Sequence, residues 1–112
     1  MNRTNLGEFE ELVLLIVGIL GAEAYGVGIM EEIERQTGRP VNISAVHTAL
    51  HRLEEKGFLA SNLAGASSKR GGRRKRIFQL THGGKLAINN VKELRNRLWN
   101  QIPDLAISNR TK

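Results

Sequence analysis

The segment Glu8–Leu20 carries apolar side chains at 9, 12–17, 19 and 20, which cover nearly every face of the helix it predicts. A helix that is apolar all round must be buried on all sides. The chain has 112 residues, enough for one domain, and a domain this short leaves much of its surface in water. One side of this helix is therefore expected to meet a second subunit, through Leu12, Leu15 and Ile16. Glu8, Glu10 and Glu11 fall in its first turn, where the helix dipole favours negative charge.

Gly21 closes that helix, and Tyr25-Gly26 opens a second that runs to about Thr37, with Gly38 as its stop and Pro40 forbidding continuation. Val27, Ile29, Met30 and Ile33 supply its apolar positions. A third helix follows Asn42 or Ser44, either of which can cap it, and ends at Gly57. Val46, Leu50 and Leu53 form its inward stripe, while Ser44, Ala45, His47, Thr48, His51 and Arg52 occupy the other face. Two helices joined by a short turn, the second polar along its exposed N-terminal half, are the elements of a helix-turn-helix.

Residues 58–63 then read as a strand, 64–72 as a loop of small and polar residues, and 74–80 as a second strand with Phe78 and Leu80 on one face. Arg74 and Arg76 fall on the Phe78 side, because neighbouring strand residues point oppositely. Thr81 caps a last helix expected to reach about Ile102, where Pro103 breaks it. Ala87, Val91, Leu94 and Leu98 repeat along it at the spacing of a helix-pair seam. The expected architecture is α+β: a winged helix-turn-helix over residues 1–80, a dimerisation helix of the same unit over 81–102, and a tail over 103–112.

Charge is segregated along this frame. Residues 1–60 hold five basic and nine acidic side chains, whereas residues 61–112 hold twelve basic and two acidic ones. Six of the cations lie within residues 69–76, beside Gly71 and Gly72. Such segregation points to an anionic partner, with nucleic acid first and an anionic membrane surface second. The cations sit in a loop and strand instead of along an amphipathic helix, which disfavours the membrane. Lys69, Arg70, Arg73 and Lys75 are the expected phosphate contacts of the wing. Ser44, Ala45, His47, Thr48 and His51 are the expected contacts of the third helix in the major groove of double-stranded DNA.

Other chemistries find little footing. With no cysteine, disulfides, thiolate metal sites and thiol nucleophiles are excluded. His47 and His51 stand at i and i+4, but residue 48 is Thr and no third ligand is evident, so neither metal nor any other cofactor is expected. No nucleophile–base pairing or phosphate loop is recognisable, so the chain is not expected to be an enzyme. Nothing suggests export, and a cytoplasmic protein, on the nucleoid when bound to DNA, is the default.

Three stretches, in order, resemble the PadR-type transcriptional regulators. Tyr25-Gly26-Val27 is similar to the family's turn before its second helix, and residues 45–58, with Leu53-Glu54-Glu55-Lys56-Gly57, to its third. Residues 72–84 are similar to its wing strand and the Thr-x-x-Gly start of its last helix. The chain departs from the pattern at His47 and at Ile77-Phe78, where the family often has tyrosines, and it resembles the short subgroup without an extended C-terminal domain. The resemblance implies a homodimer built from the first and last helices, bound to a palindromic operator, most often as a repressor. It also implies response to small aromatic molecules in some members, for which Trp99 is the candidate platform; the plainer alternative for Trp99 is a core anchor or a residue at the dimer edge. The competing expectation for the whole chain is a winged-helix protein-interaction module that binds DNA only non-specifically.

Overall fold

The computed structural model describes residues 6–64 and 75–104. Helix α1 spans Glu8–Leu20, and a 3-10 turn follows at Gly21–Glu23. Then come α2 (Gly26–Thr37), α3 (Ile43–Glu55), strands β1 (Leu59–Ala64) and β2 (Lys75–Leu80), and α4 (His82–Trp99). This is the α+β, winged-helix arrangement that the sequence pattern predicts.

The three N-terminal helices enclose the core. Val13, Leu14, Ile16 and Val17 of α1 meet Ile29 and Ile33 of α2 and Val46, Ala49, Leu50 and Leu53 of α3, with Ala24, Phe58, Leu59 and Phe78 closing the end. Ile16 is thus a core residue of its own protomer, 2% exposed, and not a seam residue. The apolar run left its inward faces undecided, and packing settles them: Leu15 and Ile19 are left on the outside, 44% and 59% exposed.

Local chemistry sets the joints. Gly38 ends α2 in the left-handed region, φ 75°, and its N–H donates to the Glu34 carbonyl. The Glu34 carboxylate then accepts from the Val41 amide at 2.9 Å, which fixes the turn into α3. Buried Glu32 accepts from Arg35 and from Gln36, so its burial leaves no carboxylate oxygen unpaired. At the far end of α3, Lys56 Nζ donates to Glu10 Oε1 at 2.6 Å and ties that helix to the start of α1.

β1 and β2 pair antiparallel without a bulge, Leu59 opposite Leu80 and Ser61 opposite Phe78. Tyr25 makes a bridge to Ile77, and the Phe78 amide donates to the Ala24 carbonyl at 2.8 Å, so the chain before α2 flanks β2 on its other edge. The Thr81 hydroxyl accepts from the Gly84 amide at 3.0 Å and donates to the Gly57 carbonyl at 2.7 Å, which seats the first turn of α4 on the α3–β1 turn. Only glycine fits at 84, since a Cβ there would stand 2.2 Å from the Phe58 carbonyl oxygen.

α4 ends at Trp99, three residues before the expected Ile102. Pro103 cannot donate and pushes the residue before it out of the helical region. The last amides, Gln101 and Ile102, reach back only three residues, to Leu98 and Trp99.

Candidate nucleic-acid interface

α3 owes its orientation to its cap and its stripe. The Asn42 side chain, the first of the two candidate caps, accepts from the Ser44 amide at 2.6 Å. With Val46, Ala49, Leu50 and Leu53 buried, the helical repeat turns Ser44, Ala45, His47, Thr48 and His51 outward. All five are exposed, as is Arg52. They form a ridge of short and medium-sized side chains, polar except for Ala45, of a shape that a groove about 12 Å wide can admit.

The two histidines have separate neighbours. The His51 Nε2 faces Glu55 Oε2 at 3.3 Å, one turn further along α3. His47 leans the other way, onto the first residue of α2: a Cβ built on Gly26 would lie 2.7 Å from His47 Cε1.

Beside α3 lies the root of the wing. Lys75 is exposed, and its Nζ stands 4.1 Å from the centre of the Tyr25 ring, a cation–π contact between β2 and the residue that precedes α2. Arg76 projects from the Phe78 face, as strand alternation predicts, and its Nη1 donates to Ser61 Oγ at 3.0 Å. Ser61 in turn donates to Glu54 Oε2 at 2.5 Å, so Arg76 is drawn towards the end of α3. Lys69, Arg70 and Arg73 lie outside the described residues.

Sequence reasoning passed over Tyr25 and Gly26 as site residues. The available signal was local: Tyr25-Gly26-Val27-Gly28 puts two glycines in the first turn of a helix, where glycine is unfavourable unless packing requires it. That first turn also holds no acidic side chain.

The expected seam divides. Ala87 and Val91 are half-buried, while Leu94 and Leu98 are 44% and 52% exposed. Leu12 is half-buried and Leu15 exposed. Arg95 Nη2 donates to Glu11 Oε1 at 3.0 Å and pins α4 to α1. Above that contact runs an open groove of about 540 Å³, lined by Leu15 and Ile88 among polar residues that include Lys85, Lys92 and Asn96. Trp99, 56% exposed, stands at the end of α4 outside the groove lining.

A capped helix with an exposed polar ridge, set behind a short helix and beside a two-stranded wing, defines a winged helix-turn-helix. Residues 14–90 match the model of the transcriptional regulator PadR-like family, and the chain belongs to that family. Its members are transcriptional regulators and not enzymes. No curated protein matches the chain. Among solved structures, a complex of hsRosR-S4 is 26% identical, with a TM-score of 0.67 over 89% of this chain and 79% of that one. A PadR-like transcription factor from Bacteroides fragilis shares the fold at 17% identity and a TM-score of 0.68, over 80% and 82% of the two chains. The Bacillus subtilis PadR, solved in complex with operator DNA, shares it at 19% identity and a TM-score of 0.60, over 74% of this chain and 45% of that one. Among the described residues, no helix is long and apolar enough to cross a membrane.

Proposed function

We propose that the protein is a DNA-binding repressor that acts in the cytoplasm as a homodimer on an inverted-repeat operator. The observation that carries this reading is the ridge of Ser44, Ala45, His47, Thr48 and His51, all exposed on one capped helix whose opposite face is core. In this reading α3 enters the major groove and reads base edges. Lys75 and the loop cations Lys69, Arg70 and Arg73 contact phosphate, which positions the protein and makes binding salt-sensitive. The operator complex of the Bacillus subtilis PadR supports the choice of DNA as partner.

Residues 1–80 form the reading unit, and α4 with the remainder of 81–102 pairs two copies through Leu12, Leu15, Ala87, Val91, Leu94 and Leu98. The exposure of Leu15, Leu94 and Leu98 on one protomer supports this, because a monomer in water gains nothing from leaving them half open. Two copies related by a dyad read half-sites about one helical turn, or a multiple, apart. A planar aromatic effector stacks on Trp99 and releases the operator. Its exposure leaves the indole face open to such a molecule.

Selection of bound sequences from a randomised duplex pool, at near-physiological salt with excess competitor, tests the core of this reading. An enriched inverted repeat is the expected result. Replacing Arg70 and Arg73 by Ala should then weaken all DNA alike and flatten the salt dependence, whereas replacing Thr48 should change the preferred sequence. A pool that stays random would replace the reading with a protein-interaction module that touches DNA by charge alone.

A further inference from the structure

We infer that Gly26, at the first position of α2, is a positioning residue for DNA sequence preference, acting by leaving room for the His47 ring on the recognition helix. The inference rests on the reading of α3 as the base-contacting helix, and it adds a residue that touches no base itself.

The first turn of α2 has an unusual composition. Glycine is the poorest helix former after proline, yet Gly26 and Gly28 both stand in the first turn. Neither has a positive φ, so backbone conformation does not demand glycine at either place. Space does. A Cβ on Gly28 would lie 3.0 Å from the Glu23 carbonyl oxygen and 3.3 Å from the Tyr25 ring, a requirement of the turn itself. The demand at Gly26 is of another kind. Its Cβ would lie 2.7 Å from Cε1, 3.3 Å from Nε2 and 3.6 Å from Nδ1 of His47, and these three nearest atoms all belong to one side-chain ring. The nearest neighbour that Gly26 accommodates among the described residues is therefore the ring of an exposed side chain on the helix assigned to read DNA.

This geometry separates folding from reading. An alanine at 26 can be housed by turning the His47 ring away, since the ring is exposed and its χ angles are free to change. The substitution also favours the helix, because alanine restricts the unfolded chain and suits α2 better than glycine does. The ring, once displaced, no longer presents its nitrogens in the same direction. A base contact that depends on a nitrogen within about 3 Å of its acceptor does not survive such a rotation.

The test uses the full chain in four forms: wild type, Gly26→Ala, His47→Ala and the double variant. Each is passed through selection from a randomised duplex pool, and each is titrated on the duplex that the wild type selects. Melting temperatures are recorded alongside. The expected result is that Gly26→Ala melts no lower than wild type, yet binds the wild-type duplex about tenfold more weakly. Its selected motif should relax at the same base pairs as that of His47→Ala. In the double variant the Gly26→Ala change should cost nothing further, because the ring it displaces is gone. In the free protein, a nuclear Overhauser contact between the His47 Hε1 and the Gly26 α-protons should be present, and absent in Gly26→Ala.

Three results would overturn the inference. Unchanged preference in Gly26→Ala, with altered preference in His47→Ala, would show that the ring reads DNA without needing its seat. A further loss of the same size when Gly26→Ala is added to His47→Ala would show that Gly26 acts by another route. An unchanged motif in His47→Ala would remove His47 from base reading and the inference with it; a motif that still changes in Thr48→Ala would show that α3 reads DNA all the same.

Discussion

The first turn of α4 and its last two turns belong to one helix and live in different environments. At the start, Gly84 is pressed against the Phe58 carbonyl so closely that no side chain fits, and Thr81 locks the cap to Gly57. At the end, Leu94, Leu98 and Trp99 are 44%, 52% and 56% exposed. α1 shows the same contrast across its width, with Leu14 fully buried and Leu15, the next residue, half open. The protomer is therefore closed where the helices meet and open at Leu15 of α1 and at Leu94, Leu98 and Trp99 of α4. Apolar surface that a chain leaves open is surface that a partner can remove from water.

Substitutions can break this contrast, and the largest effect is expected in the closed part. Leu14→Ala removes a fully buried side chain and should lower unfolding free energy by about 2–5 kcal/mol in chemical denaturation. Leu15→Ala, one residue on, should change protomer stability by only about 0.5 kcal/mol if measured at a concentration where the protein is monomeric. Equal losses at the two positions would abolish the distinction between inner and outer faces. Gly84→Ala comes next, with a destabilisation of about 1–3 kcal/mol as the turn at Phe58 gives way. Here the damage should be visible in the amide exchange of α4 before that of α2.

The open side is tested by Leu94→Lys with Leu98→Lys. Two cations on the seam should convert a dimer to monomer in sedimentation while leaving α1–α3 folded. An unchanged soluble dimer would move the interface elsewhere. A smaller effect concerns Glu10, at the closed end of α1. Burial opposes its ionisation, but the Lys56 ammonium and the Gly7 amide outweigh it, and the carboxyl is held below its ordinary value of 4.5. A carboxyl depressed in the folded state stabilises at neutral pH, and that contribution is lost as pH falls from 4.5 through the folded value. Lys56→Met should accordingly be less stable than wild type at pH 7, and the gap should narrow below pH 4.5. The smallest change is expected for Arg95→Ala. Its bond to Glu11 is largely in water on the arginine side, and its loss should cost under about 1 kcal/mol, less still in high salt.

Much of the fold was legible in one dimension because its punctuation is local. Gly38 and Pro40 stop α2, Asn42 and Thr81 cap the helices that follow them, and the alternation around Phe78 fixes the faces of β2. The outward set on α3 followed from its inward stripe by helical geometry alone. The end of α4 was misjudged by three residues because Pro103 disturbs the turn before it as well as its own position. Ile16 was misplaced for a different reason. A segment apolar on every face carries no periodic record of which side is inner, so only the helices packed against it could say.

The sequence by itself therefore determined the order of the elements, their caps, the polar ridge of α3 and the separation of acidic from basic halves, since each depends on neighbours within a few residues. Tertiary structure decided which face of α1 is core, where α4 leaves the protomer, and that Gly26 serves a histidine twenty-one positions away. Those are contacts between elements distant in the chain, and they exist only once packing has brought the elements together.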